Sequence, residues 1–421
     1  MKKLILLLFL PLSLSLQAQD TKRMRQSLEK LCAKEFLGRG YVKEGDQKAA
    51  NWIAKQFKNF GLSAFETDYI QKFTLPVVAF PETPRLAFDG NALKAGLDFF
   101  PDPASSSGTD ELKILMLDEA FLSSEKVRKK WLKKDLSNVA LCYNASTRQG
   151  LLQLPREFVL KILRVPLTII LEESLTFSIA NEQAWMPTIH VKKDAFPQKL
   201  PRKVSFSITS KQHEAYTSQN VVGYVKGTKS PEKFIVFSAH YDHLGGLGDE
   251  VYYAGANDNA SGVAFMLELA AHYVENPPET SVAFIAFGAE EAGIFGSRYY
   301  VDNPLFPLSQ IEFLLNLDLI GTGETGATLV NGKVHQEAFT ELKELNEAGE
   351  YLPNLKARGE AANSDHYFFH LKGVPSFFIY LTTDDLSGIA YHHPGDKPET
   401  LSLAGIEGLF NLLTTFTETF D

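Results

Sequence analysis

The stretch Phe234-Ile235-Val236-Phe237-Ser238-Ala239-His240-Tyr241-Asp242 decides how this chain is read. An almost unbroken apolar run of this length suits a strand buried on both faces, as in a parallel sheet. It ends abruptly in an imidazole and a carboxylate. The pattern repeats downstream, where residues 282–287 run into Gly288-Ala289-Glu290-Glu291 and residues 313–317 run into Asp318. Between the first two runs, Asn259-Ala260-Ser261-Gly262 opens a helical pattern carrying Val263, Met266, Leu267 and Ala270. Strand, helix, strand alternation implies an α/β fold with a mostly parallel central sheet flanked by helices and right-handed crossovers. A further apolar strand over 375–381 precedes the pair His392-His393.

Upstream, Ala49, Ala50, Trp52, Ile53, Ala54, Phe57 and Phe60 recur at helical spacing, and Gly61 supplies a stop. From about Thr74 the composition turns to proline-punctuated, β-like runs at 114–117, 139–143, 167–171 and 188–191. Residues 76–204 therefore read as an inserted, mainly β domain without clustered catalytic residue types, whose expected role is to shape access to a neighbouring site. The N-terminus, with Lys2, Lys3, an apolar run to Leu16 and then Gln17-Ala18, reads as an export signal over residues 1–18. Such a run is too short to span a bilayer comfortably. The expected destination is the periplasm or the extracellular space, with no membrane insertion after signal removal.

At 421 residues, 44% hydrophobic and 22% charged, the chain can bury a large core. Its net charge of −9 gives no general electrostatic attraction to nucleic acid or an anionic membrane. Cys32 and Cys142 carry no Cys-x-x-Cys or Cys/His neighbourhood and are not expected to bind zinc; whether they pair is left open.

Open α/β sheets build their sites beyond the carboxyl ends of the strands. His240 and Asp242 lie just after one strand, Asp258 opens the following helix, Glu290 and Glu291 end the second strand, Asp318 ends the third, and the pair His392-His393 follows the last. Each alone has a structural reading as a cap or a solvated face. Together, mixed imidazole and carboxylate groups suit zinc, and a carboxylate shared between two metals suits a hydrolytic pair.

In order, His240-Tyr241-Asp242-His243-Leu244-Gly245, Asn257-Asp258-Asn259-Ala260-Ser261-Gly262, Glu290-Glu291-Ala292-Gly293, Asn316-Leu317-Asp318 and Tyr391-His392 resemble the motifs of the co-catalytic di-zinc aminopeptidases, peptidase family M28. Phe36-Leu37-Gly38-Arg39-Gly40 and the helix after it look like the family's N-terminal part. The insert looks like a degenerate protease-associated domain, which would make the peptidase domain discontinuous over 19–75 and 205–421. The resemblance implies the zinc exopeptidase fold, two zinc ions and peptide substrates with a free N-terminus. It further implies that His240 and Asp318 hold one zinc, Glu291 and His392 the other, and Asp258 bridges them. Asp242 would orient His240, Glu290 would be the general base, and Tyr391 would donate to the developing oxyanion.

His243, and His366 in Ser364-Asp365-His366, read as supporting residues rather than ligands. His190, His213, His272, His335 and His370 show no convergent partners and read as structural. Two rivals share this fold: a glutaminyl cyclase, which uses one zinc for intramolecular acyl transfer, and a non-catalytic binding ectodomain, which should have lost ligands.

Overall fold

A computed structural model describes residues 19–65, 68–117, 119–385 and 390–420. The expected export signal, residues 1–18, lies outside the described residues. One eight-stranded sheet carries the expected parallel centre: Thr280–Phe287, Ser230–His240, Ile311–Leu317 and Ser376–Thr382 lie side by side in that order. Antiparallel strands Lys211–Val225 and then Ile70–Ala79 extend one edge, while Gly326–Val330 and Leu355–Ala357 extend the other.

The strand Ser230–His240 is buried on both faces because its side chains alternate between two cores. Ile235, Phe237 and Ala239 pack against helices Thr21–Leu31, Gly45–Phe60, Ser261–Glu275 and Ile406–Thr417. Phe234 and Val236 pack on the other side, with Tyr300 and Phe369 from helices Phe295–Asp302 and His366–Leu371. Each fully buried large apolar side chain contributes on the order of 1.5–3 kcal/mol. Helices on both faces leave the carboxyl ends of the central strands as the open edge. Gly61 ends Gly45–Phe60 in the left-handed region (φ 95°), and its N–H bonds back to the carbonyls of Phe57 and Lys58.

A second eight-stranded sheet is built from residues 85–208, between Ile70–Ala79 and Lys211–Val225 of the first. Gly108–Met116, Val139–Asn144, Leu167–Glu172 and Thr188–Lys192 are successive parallel neighbours in it. Their connections hold short helices, including Glu125–Leu132 and Arg156–Ile162, that the strand-like runs did not announce. The first of these is EKVRKKWL, buried only through Trp131, so it has almost no apolar stripe to read.

Cys32 and Cys142 are unpaired and sit in separate cores. Burial pushes each thiol up to about 12, which makes both inert packing residues. Among the described residues, no helix is long and apolar enough to cross a membrane.

Candidate metal centre

Five strand-end segments converge over the open edge. His240 ends its strand with Nε2 3.3 Å from Asp258 Oδ1 and 3.4 Å from Asp318 Oδ1. His392, on the loop after the last central strand, places Nε2 3.3 Å from Asp258 Oδ2 and 3.1 Å from Glu291 Oε2. The two oxygens of Asp258 thus face two different imidazoles, each backed by one further carboxylate. The ligand atoms of His240, Asp258 and Asp318 lie within 4.8 Å of one another, as do those of His243, Asp258 and Glu291.

Each group is aimed by neighbours that sequence spacing did not reveal. The amide N–H groups of Asn257 and Asp258 donate to the buried Asp396 carboxylate, which fixes the Asp258 loop. A buried chain leads to Asp318: Ser238 Oγ donates to Asn316 Oδ1 (2.8 Å), Asn316 Nδ2 to Ser364 Oγ (2.8 Å), and Ser364 Oγ to Asp318 Oδ2 (2.9 Å). Asp318 Oδ1 has no hydrogen-bond partner although it is buried. Leu319, Ala289 and His392 adopt left-handed backbone conformations, with φ of 59°, 59° and 52°. Strained residues of this kind persist only where the surrounding structure over-determines them.

The Asp242 carboxylate is 3.7 Å from His240 Nδ1, too long for a hydrogen bond, and the nearer acceptor is Asp242's own carbonyl at 3.2 Å. Its two oxygens instead accept the backbone N–H groups of Glu290 (3.0 Å) and Glu291 (3.2 Å). Asp242 therefore holds the turn that presents both glutamates. His243, read from sequence as a supporting residue, is fully buried and bonds Glu291 Oε1 through Nδ1 at 2.6 Å. His392 differs in kind: its Nδ1 donates to the carbonyl of Phe177 (2.9 Å), leaving Nε2 toward the carboxylates. A ligating imidazole needs its second nitrogen fixed in this way. The ring of His393 lies elsewhere, its Nδ1 accepting the Gly395 N–H at 3.0 Å. Tyr391 is 53% exposed and stacks on His392 with centroids 3.9 Å apart.

Charge explains what the cluster lacks. Burial alone would depress His240, but Asp318, Glu290, Asp242 and Asp258 outweigh it and hold the imidazole well above its ordinary value. Burial likewise opposes a proton on His392, yet bonds to Asp258 and Glu291 push it up to about 10. Burial pushes Glu290 well above the usual carboxylate range, with Asp365 and Glu291 adding and His240 opposing. Asp365, fully buried without a hydrogen-bond partner, rises to about 7, chiefly through burial. Six acidic side chains against three imidazoles form a buried site short of positive charge. The donor set, the two oxygens of Asp258 and the unpartnered Asp318 Oδ1 fit divalent metal ions, zinc among them.

The α/β fold is shared with solved zinc aminopeptidase structures. The chain superposes on a zinc aminopeptidase from Bacillus subtilis with a TM-score of 0.71, covering 95% of each chain at 20% identity. A peptidase M28 precursor from Shewanella amazonensis SB2B gives 0.69 at 17% identity, covering 95% of this chain and 93% of that one. Residues 220–417 match the model of Peptidase family M28, and this region of the chain belongs to that family. Over 246 residues it is 29% identical to aminopeptidase YwaD of Bacillus subtilis (strain 168), covering 57% of this chain. The match spans only about half of that relative, 52% of its length, and 22% of a probable zinc metalloprotease of Pyricularia oryzae that is 38% identical over 113 residues.

Arg39 supports the whole cluster from beneath. Its fully buried guanidinium donates to the carbonyls of Tyr241 (2.7 Å), Leu31 (3.1 Å), Ala254 (2.6 Å) and Gly255 (2.7 Å), with Asp258 O at 3.4 Å. Arg39→Met removes every one of these donors and leaves buried carbonyls unsatisfied, at a cost of about 3 kcal/mol or more. Arg39→Lys, with fewer and unforked donors, should recover only part of it. Urea unfolding of the three proteins checks this, and an unchanged midpoint for Arg39→Met would show that the carbonyls are satisfied without Arg39.

Proposed function

We propose that this protein is an exported, zinc-dependent aminopeptidase that hydrolyses N-terminal peptide bonds. The observation that carries the reading is Asp258, whose two oxygens address His240 with Asp318 on one side and His392 with Glu291 on the other. In this reading His240 and Asp318 would hold one zinc, Glu291 and His392 would hold the other, and Asp258 would contribute a ligand to both. When bound, two zinc ions supply Lewis acidity, making water a nucleophile near neutral pH and polarising a substrate carbonyl.

The chain's own groups do the rest. Glu290 stands beside the cluster with a raised proton affinity, the property required of a group that takes a proton from water and passes it to the leaving amine. Asp242 fixes the Glu290-Glu291 turn through two backbone N–H groups. Tyr391, stacked on His392, would donate to the oxyanion that forms on the carbonyl. The surplus of carboxylates offers a counter-charge to a substrate's free α-amine. A cavity of about 220 Å³ opens beside Asp258 and Tyr391, walled by Leu319, Leu381 and Ala390, with room for the side chain of the residue removed. Residues 76–204 are read as an inserted, protease-associated-like domain, a reading supported by the position of the second sheet between two neighbouring strands of the first.

Chelation should abolish hydrolysis of aminoacyl reporter amides, and zinc should restore it. N-acetylated versions should resist cleavage. Equal cleavage of blocked and free substrates would remove the aminopeptidase reading, exclusive cyclisation of N-terminal glutamine would give the site to a cyclase, and tight peptide binding without turnover would give it to a binding ectodomain.

Paired variants test the roles. Glu290→Gln should keep both zincs and lose ~10²–10⁴-fold in rate, because a base is removed while the cage remains. Glu291→Gln and His392→Ala should each lose zinc. His393→Ala should retain two zincs, with a defect of at most roughly 10- to 100-fold. Metal analysis beside turnover decides, and equal zinc loss in both glutamate variants would overturn the assignment of base and ligand.

Export rests on residues 1–18, with Lys2 and Lys3 ahead of a short apolar run. Mass analysis of protein recovered from outside the cytoplasm should give a mature chain beginning at Gln19. A full-length chain confined to the cytoplasm would contradict export.

A further inference from the structure

Residues 173–187 link strands Leu167–Glu172 and Thr188–Lys192 of the second sheet without forming helix or strand. Their middle crosses onto the loops of the first sheet. Phe177 and His392 exchange two hydrogen bonds: His392 Nδ1 donates to Phe177 O at 2.9 Å, and Phe177 N–H donates to His392 O at 3.2 Å. Four residues on, Asn181 Nδ2 donates at 2.7 Å to the carbonyl of Ala292, the residue after Glu291.

The span between these anchors is itself fixed to the first sheet. Ala180 O accepts the Val78 N–H at 2.9 Å, and Asn181 O accepts from Gln212 Nε2 at 3.0 Å. The Phe177 ring is buried, stacked on Tyr253 with centroids 5.0 Å apart and edge-on to Phe100 at 5.3 Å. The two anchors fall on different loops of the first sheet. One is His392 itself and the other adjoins Glu291, the two groups assigned to the same metal. Asp318, assigned to the other metal, is held from within the first sheet through Ser238, Asn316 and Ser364.

We propose that the strap Phe177–Asn181 is a positioning element for one half of the metal centre, setting His392 and Glu291 and leaving His240 and Asp318 to the first sheet. The inserted segment then does more than shape access. An imidazole free to turn about its side-chain torsions presents Nε2 only part of the time, and a fixed acceptor at Nδ1 removes that freedom. Loss of such outer partners costs ~10- to 100-fold in metal affinity. Coupling is reciprocal, so a metal at the His392 position must stabilise the strap by the same factor. This inference rests on the proposed metal-holding role of the site.

The test is equilibrium zinc binding in graded zinc buffers by the full mature chain, as wild type, Asn181→Ala, Phe177→Ala and Ser364→Ala, each checked for folding by circular dichroism. Wild type should bind two zincs. The strap variants should hold one with unchanged affinity and the other ~10- to 100-fold more weakly. Asn181→Ala combined with Ser364→Ala should weaken both, because the two substitutions act on different metals. In the wild type, zinc should also slow amide hydrogen exchange over residues 176–182. Asn181 is only half-buried, so its variant carries the test should Phe177→Ala not fold. Two zincs of unchanged affinity in folded Asn181→Ala would overturn the inference, as would a double variant that still holds one zinc at wild-type affinity. A wild-type chain that takes up no zinc would instead overturn the metal reading on which it rests.

Discussion

Everything at the site stands on a buried cation that never meets solvent. Burying a guanidinium away from water costs several kcal/mol unless its donors are met, and here they are met by backbone carbonyls of three separate segments. Leu31 lies at the end of the first helix, Tyr241 just past the strand that carries His240, and Ala254 and Gly255 just before Asp258. One planar fork thereby fixes the separation between the two loops that present His240 and Asp258. The approach is close enough to dictate sequence. A Cβ on Gly38 would lie 2.3 Å from Tyr253 O and 2.6 Å from Gly245 O, and Gly38 itself sits at φ 64°. Only glycine fits there.

Above that platform the governing quantity is charge. Carboxylates crowd a buried volume and raise the proton affinity of His240 and His392 against the effect of burial. Asp258 makes the arrangement symmetric: bonds to both imidazoles hold it well below the usual carboxylate range, despite burial. Glu290 gains proton affinity through burial, with Asp365 and Glu291 adding to it against the pull of His240. Two adjacent glutamates on one turn therefore acquire opposite character, because Glu291 is bonded to His243 and His392 whereas Glu290 faces Asp365 and Asp318.

The sheet and the acids at its strand ends were legible because buried parallel strands leave long apolar runs, and each run gave way within three residues to an acid or an imidazole. Helix Gly45–Phe60 was legible through its spacing and its terminal glycine. What stayed hidden was support. Arg39 acts through carbonyls, which have no side-chain identity to read. Ser364 reaches Asp318 across 46 positions, and Phe177 reaches His392 across 215. Spacing arguments work along one element and have no purchase on contacts of such separation. Asp242 shows a subtler limit: its place beside the site was readable, but whether its carboxylate meets an imidazole or two amides depends on backbone direction after His240.

The place of the inserted segment follows from register. Lys211–Val225 runs antiparallel to Thr280–Phe287, with Val221 opposite Ala286, so residues 211–219 continue past the point where that central strand ends. Ile70–Ala79 pairs along that overhang, as far as Ala79 opposite Lys211. Both connections to the second sheet therefore leave from the edge where Glu290, Asp318 and His240 emerge, not from the opposite edge. A segment that leaves and returns there passes close to the site. Its nearest loop must either stand clear as a wall or bond to the loops beneath, and an exposed backbone pressed against them favours bonding, because buried N–H and C=O groups need partners. The exchange between Phe177 and His392 satisfies that need on both sides, which makes the contact between insert and metal centre a consequence of strand register rather than an independent feature.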